Sequence, residues 1–212
     1  MNPSERAPSY SGENGSNAED TALIRRIVDA DETALGALYD RWVRSLYSLV
    51  LHLLKDPDEA EDVVEETFWQ AWRKADSYEP SKGAVSTWLL TIGRRKALDR
   101  LRARKRNRED PIQDERGFSD LRSTSPDPGS EAEGSELREH VRAALRELPE
   151  EQREALHLVA VEDLSYHEAA EILDIPVGTL MSRVSRARAS LRDFENGTKK
   201  PNHLRLVGGD ND

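Results

Sequence analysis

The chain has 212 residues, a formal net charge of −10 and no cysteine. That length leaves room for one or two modest domains, and the missing thiols exclude disulfides and thiolate metal sites. The acidic balance excludes a protein that coats nucleic acid indiscriminately, but not local contact, since charge acts within about a Debye length, roughly 10 Å at moderate salt.

Residues 1–20 are rich in Ser, Gly, Asn, Pro and Glu with almost nothing apolar, a composition that predicts a disordered tail. From Thr21 the pattern changes. Leu23, Ile24, Ile27 and Val28 form a short helical stripe. A long amphipathic helix follows from Thr33, with Leu35, Leu38, Tyr39, Trp42, Val43, Leu46, Tyr47, Val50, Leu51 and Leu54 at spacings of three and four. Asp56-Pro57-Asp58-Glu59 reads as a helix start, the first Asp as cap and Pro at the first helical position. The helix it opens runs to about Ala75 and buries Ala60, Val63, Val64, Phe68, Ala71 and Trp72. Its other face carries Asp58, Glu61, Asp62, Glu65, Glu66, Trp69 and Gln70. Trp69 is either the edge of the core stripe or an exposed anchor for a partner.

Pro80 and Gly83 make the stretch from Asp76 to Ala84 a loop. It leads into Thr87–Arg108, apolar at first (Trp88, Leu89, Ile92) and then densely basic. Arg94, Arg95, Lys96, Arg100, Arg102, Arg104, Lys105, Arg106 and Arg108 stand there with Asp99 the only acid. A solvated charged helix normally mixes signs, so a helix this one-sided suits a polyanion. These segments make a first helical domain over residues 21–106.

The stretch Glu109 to Glu136 carries Glu109, Asp110, Asp114, Glu115, Asp120, Asp127, Glu131, Glu133 and Glu136 against Arg116 and Arg122, a net −7 from two bases less nine acids. With its Ser and Pro runs it predicts a flexible acidic linker, placed at 107–135. A second domain occupies 136–194. Leu137, Val141, Ala144, Leu145 and Leu148 share one helical face, and Pro149 opens another helix with Ala155, Leu156 and Val159 inside. Ser165-Tyr166-His167-Glu168 is a capping box. After a turn at Asp174-Ile175, Pro176 restarts the chain as a helix with Val177, Leu180, Val184, Ala187 and Leu191 inward. Two helices so joined read as a helix-turn-helix. Residues 195–212 are expected to be a loose tail. The fold class is therefore all-α, two small helical domains on a flexible acidic linker.

In a helix-turn-helix the second helix meets base edges and phosphates. Its exposed candidates are Thr179, Met181, Ser182, Arg183, Ser185 and Arg186, flanked by Gly178, Arg188 and Arg192. Catalytic signals are weak. His52, His140, His157, His167 and His203 are scattered, and there is no Gly-rich phosphate loop. The expectation is no enzyme, no cofactor and no metal. No apolar run is long enough to span a membrane and the polar N-terminus lacks a signal-peptide pattern, so the expected location is the cytoplasm without membrane insertion.

Taken together, several stretches resemble the extracytoplasmic-function sigma factors of bacterial RNA polymerase. Leu38-Tyr39-Asp40-Arg41, the run Asp58 to Phe68, Ala71-Trp72, Thr87 to Ile92 and Ala97 to Arg102 are similar to the first conserved domain of that family. Leu148 to Ala155, Leu164 to Leu173 and Pro176 to Ala187 are similar to the second. The resemblance implies a transcription initiation factor that binds core RNA polymerase at the β′ clamp and β flap, directs it to promoter DNA, helps open the duplex and is controlled by an anti-sigma factor. It implies polymerase binding through Asp62, Glu65, Glu66, Trp69 and Gln70. It also implies minus-ten strand binding through Tyr78, Lys82, Trp88, Arg94, Arg95 and Arg100, and minus-thirty-five reading by the six recognition-helix residues named above. Glu65 stands where the family often has Gln, Arg95 where Asn is frequent and Met181 where a basic residue is common. The linker, whose net −7 resembles the charge of a nucleic acid strand in sign, is implied to thread polymerase channels built for RNA. Two other readings are a dimeric operator-binding regulator and a helical adaptor or inhibitor. An acidic helix, a loop and a basic helix in succession separate the first reading from the regulator, which has no need of them.

Overall fold

The computed structural model describes residues 13–109 and 141–195, and among these every regular element is helical. The chain divides into two compact units, Met1–Ile112 and Gln113–Asp212.

The first unit holds α1 (Glu13–Val28), α2 (Glu32–Leu54), α3 (Pro57–Arg73) and α4 (Val85–Glu109), with short 3-10 turns at Ala75–Ser77 and Pro80–Lys82 between α3 and α4. Local chemistry sets the boundaries. Asp31 caps α2 by accepting from the Thr33 N–H at 2.9 Å, and Lys55 ends it in a left-handed conformation whose N–H reaches Leu51 O. The Arg26 guanidinium and the Thr33 hydroxyl also converge on Asp31. Hydrogen bonding from Thr33 first, then from Arg26, holds its carboxyl down at about 2. Asp56 caps α3 by accepting from Glu59 N–H at 3.1 Å, with Pro57 in the first helical turn as expected.

The core gathers Leu38, Leu46, Leu49 and Val50 of α2, Val63 and Phe68 of α3, and Val85, Leu89 and Leu90 of α4. Thr67, also fully buried, satisfies its hydroxyl by donating to Val63 O at 2.7 Å. Gly93 lets α4 approach α2: a Cβ there would lie 2.3 Å from Leu46 Cδ1.

Residues 13–20, expected to belong to a disordered tail, are helical. The reason is polar anchoring that a hydropathy reading does not see. Asp20, 1% exposed, accepts from Arg41 Nη1 at 2.6 Å and Trp42 Nε1 at 2.9 Å, while Glu19 takes the other arm of Arg41 at 2.7 Å. These contacts, that to Glu19 foremost, raise the Arg41 pKa further above its ordinary value. Asn17 Oδ1 accepts from the Val85 N–H at 3.1 Å, so α1 caps the start of α4 across the fold. At the other end α4 continues through Glu109, past the expected domain limit of 106. The expected tail up to residue 12, the expected linker from residue 110 to 135, residues 136–140 of the expected second domain and the C-terminal tail from 196 lie outside the described residues.

The second unit holds α5 (described over residues 141–146), α6 (Glu150–Ala160), α7 (Tyr166–Leu173) and α8 (Val177–Glu195). Its core is Ala144, Leu148, Leu158, Ile172, Leu180 and Val184. The capping box forms as read: Ser165 Oγ accepts from Glu168 N–H at 3.2 Å, and the Glu168 carboxylate accepts from Ser165 N–H at 3.0 Å. Asp174 makes the tight turn into α8 with φ 56°, its N–H bonding back to Ala170 and Glu171.

Candidate nucleic-acid and polymerase interfaces

The α3 face chosen from the sequence is largely open. Trp69 is 62% exposed, which settles it as a surface residue. It shares one shallow concavity with Asp62, Glu65 and Glu66. Gln70 is half-buried and does not line it. An exposed indole bordered by carboxylates can receive a cationic and partly apolar surface, the cation meeting either the ring face or the acids.

The acids are not all idle. Glu66 accepts from Arg100 at 2.5 Å and from Lys96 at 3.1 Å, and Asp62 faces Arg100 at 3.4 Å. One turn further, Arg104 pairs with Glu59 at 2.7 Å and Asp56 at 3.2 Å. Lys96, Arg100 and Arg104 are four apart on α4, and the acids descend α3 in the opposite sense, so an antiparallel ladder of charge ties the two helices. Burial alone would raise the Glu66 pKa, but hydrogen bonds from Lys96 and Arg100 outweigh it and hold the carboxyl below its ordinary value. Glu66 in turn raises that of Arg100. The basic helix thus has compensating acids, supplied by α3, and Arg100, expected in the minus-ten set, is paired with those carboxylates.

The open basic surface lies on another side of α4. At 100° per residue, Arg95, Arg102 and Arg106 follow Trp88 along one stripe (i, i+7, i+14, i+18). All three arginines are exposed, and Arg102 pairs locally with Asp99 at 2.8 Å. Arg102 and Arg106 belong to the basic stretch read from the sequence, but not to the six residues assigned to the minus-ten strand. Arg94 is half-buried on a different side.

Tyr78, expected in the minus-ten set, lies inside the fold. It is only 9% exposed, donates its hydroxyl to Gly83 O at 3.0 Å, and packs its ring 5.5 Å from that of Trp88. Together they brace the loop before α4. Lys82, at the loop's exposed tip, pairs with Glu79 at 2.7 Å.

In the second unit the six recognition-helix candidates divide between two sides of α8. Thr179, Ser182, Arg183 and Arg186 line a concavity with Gly178, Pro149, Glu151 and Gln152. Met181, 55% exposed, and Ser185, also exposed, lie outside it. Arg183 is held by Glu151 of α6 at 2.7 Å, a partner the sequence reading did not name. Arg186 is exposed on the adjoining turn. Among the described residues no group of three His, Cys, Asp or Glu side chains could hold a metal, and no helix is long and apolar enough to cross a membrane.

A four-helix acidic-and-basic unit followed by a helix-turn-helix unit is the arrangement of a two-part sigma factor. Residues 38–107 match Sigma-70 region 2 and residues 138–191 match Sigma-70, region 4. The chain is 32% identical over 177 residues to the ECF RNA polymerase sigma factor SigK of Mycobacterium sp. (strain KMS), spanning 82% of this chain and 88% of that one. The protein of the same name from Mycobacterium tuberculosis (strain CDC 1551 / Oshkosh) is 29% identical over 172 residues, 81% of this chain and 91% of the relative. The solved sigma factor RpoE of Bartonella quintana, in complex with the anti-sigma factor NepR, is 29% identical with a TM-score of 0.58, covering 77% of this chain and 98% of its own. CnrH, solved in complex with the cytosolic domain of CnrY, is 25% identical with a TM-score of 0.61, covering 85% and 99%. The chain belongs to the ECF sigma factors of RNA polymerase. It is a transcription initiation factor, which binds core RNA polymerase, directs it to promoters and assists their opening.

Proposed function

We propose that the work of initiation divides among three surfaces. The α3 concavity of Asp62, Glu65, Glu66 and Trp69, with Gln70 at its edge, docks on the β′ clamp. The loop 76–84 and α4 hold the unpaired minus-ten strand, Lys82, Arg94, Arg95 and Arg100 as cations and Tyr78 and Trp88 as the braced aromatic base of the loop. The first half of α8 reads the minus-thirty-five duplex through Thr179, Ser182, Arg183 and Arg186, with Met181 and Ser185 on its flank, while the second unit rests on the β flap. The working domains are α1–α4 and α5–α8, joined by the acidic linker.

The single observation carrying this reading is the exposed Trp69 set among carboxylates beside a strongly basic helix. The support lies in the combination, an exposed indole sharing one concavity with Asp62, Glu65 and Glu66, and not in the exposure alone. The chain acts in the cytoplasm, where polymerase and promoters are, and as a binding factor without catalysis of its own. Control by an anti-sigma factor is supported by the two solved relatives, one with the anti-sigma factor NepR and one with the cytosolic domain of CnrY.

The test is run-off transcription with purified core polymerase on promoters selected from a random pool. Trp69→Ala with Glu65→Lys is expected to abolish capture of core enzyme while leaving helix content unchanged. Arg95→Ala is expected to reduce opening after capture. Operator-like binding by the chain alone, with no initiation, would favour a conventional regulator and overturn the proposal.

A further inference from the structure

Gly178 stands in the first turn of α8, and no neighbour within the second unit requires a glycine there. Its backbone is helical, and a Cβ added to it would meet no heavy atom within 4 Å. Alanine would favour the helix over glycine at such a position by up to about fivefold. Gly36 of α2 is equally open, so openness alone assigns nothing. What distinguishes Gly178 is its place on α8. The buried row of that helix is Leu180, Val184 and Ala187. At about 100° per residue the side opposite this row centres on Ser182, with Gly178, Thr179, Ser185, Arg186 and Ala189 within roughly 60° of it. Arg183 and Arg188 are drawn to the two flanks, the first by Glu151 of α6 at 2.7 Å, the second by the Tyr166 hydroxyl of α7 at 3.4 Å. Arg186 is the long side chain left near the middle of the outward face. Thr179, Ser182 and Ser185 carry their hydroxyls directly on Cβ, so they reach a base edge only where the helix backbone itself comes close.

We propose that Gly178 is a positioning residue for minus-thirty-five recognition: its bare Cα lets a base edge of the duplex rest against the first turn of α8, and Thr179 and Ser182 then reach bases directly. A methyl group in that gap would hold the DNA off by on the order of 1 Å, enough to stretch those bonds past hydrogen-bond range. Arg186, with its longer reach, tolerates the shift. The loss therefore falls on discrimination between sequences and not on attraction to phosphate. The inference rests on the reading of α8 as the minus-thirty-five helix, and adds the point at which that helix must touch the DNA.

The experiment uses holoenzyme assembled from core polymerase and the full chain. Binding is measured to a promoter selected from a random pool, and to the same promoter with its minus-thirty-five element randomised. Wild type is compared with Gly178→Ala and Gly178→Leu, both better helix formers than glycine. Gly178→Ala is expected to lower the discrimination between the two promoters by on the order of tenfold, about the loss of one good base contact, and Gly178→Leu to lower it further. Binding to the randomised promoter should stay as in wild type, and amide exchange across α8 should slow by about two- to fivefold, the helix having gained. A merely structural glycine would do the reverse, losing exchange protection together with binding. That outcome, or undiminished discrimination in both variants, overturns the inference. If wild-type holoenzyme itself does not distinguish the two promoters, the assignment of α8 to that element fails, and the inference with it.

Discussion

Replacing Asp20 by Ala tests whether α1 is an integral helix or an appendage. The carboxylate is 1% exposed and receives hydrogen bonds from the Arg41 guanidinium at 2.6 Å and the Trp42 indole at 2.9 Å. Hydrogen bonds to charged groups contribute about 1.5–3 kcal/mol each in net stability. The Arg41 side chain is 36% exposed and keeps Glu19, so its share is discounted toward the lower end. The half-buried Trp42 N–H loses its acceptor and adds a comparable amount. The sum is about 3 kcal/mol, roughly a hundredfold in the folding equilibrium. For a unit of this size that is a fall in Tm of on the order of 10–20 °C. Urea denaturation followed by tryptophan fluorescence isolates the effect, since Trp42, Trp69, Trp72 and Trp88 all lie in the first unit. Asp20→Asn, which retains an acceptor for Trp42, should fall about midway. A loss below about 1 kcal/mol in Asp20→Ala, outside the range for a buried charged contact, would mean that α1 is not docked and the account of its anchoring is wrong.

Gly93→Ala should be destabilising by about 1–2 kcal/mol: overpacking against Leu46 outweighs the helix propensity gained, about 1 kcal/mol. A higher urea midpoint in that variant would contradict the close approach of α4 to α2. Ser165→Ala removes one half of the capping box and should cost about 1 kcal/mol, seen as faster amide exchange across Tyr166–Leu173. Protection equal to wild type would count against the cap. The ladder at Glu66 carries a pH signature. Because the folded carboxyl titrates below its unfolded value, its contribution is complete above the ordinary carboxylate range and is lost as pH falls through the depressed folded pKa. Wild type and Glu66→Gln should differ by less than about 1 kcal/mol at pH 7, both partners being partly exposed. The difference should vanish in acid, and a gap that widened there would reverse the argument.

Where the sequence carries structure in local chemistry, it could be read directly. The Asp56 cap, the Pro57 start, the Ser165–Glu168 box and the buried faces of α3 and α8 all depend on neighbours within a few residues, and all stand where they were expected. What escaped the reading depends on partners distant in sequence. Arg100 seemed open because its own helix offers almost no acid, while Asp62 and Glu66 lie 38 and 34 positions away. Residues 13–20 are too polar to suggest a docked helix, and they dock through polar atoms: Asn17 to α4, Glu19 and Asp20 to α2. Tyr78 was legible as an aromatic in a loop, but its hydroxyl contact with Gly83 depends on how the loop folds back. The positions of the candidate surfaces were thus readable, and their state of neutralisation was not.

The cap that Asn17 lends to α4 has a practical side. The stretch shared with Sigma-70 region 2 starts at residue 38, downstream of all of α1. A fragment cut to that shared stretch would keep every recognisable signature while exposing the top of the basic helix and one flank of α2. Such a fragment would fray at the start of α4, and weak DNA binding by it would report the missing brace and not the affinity of the intact factor.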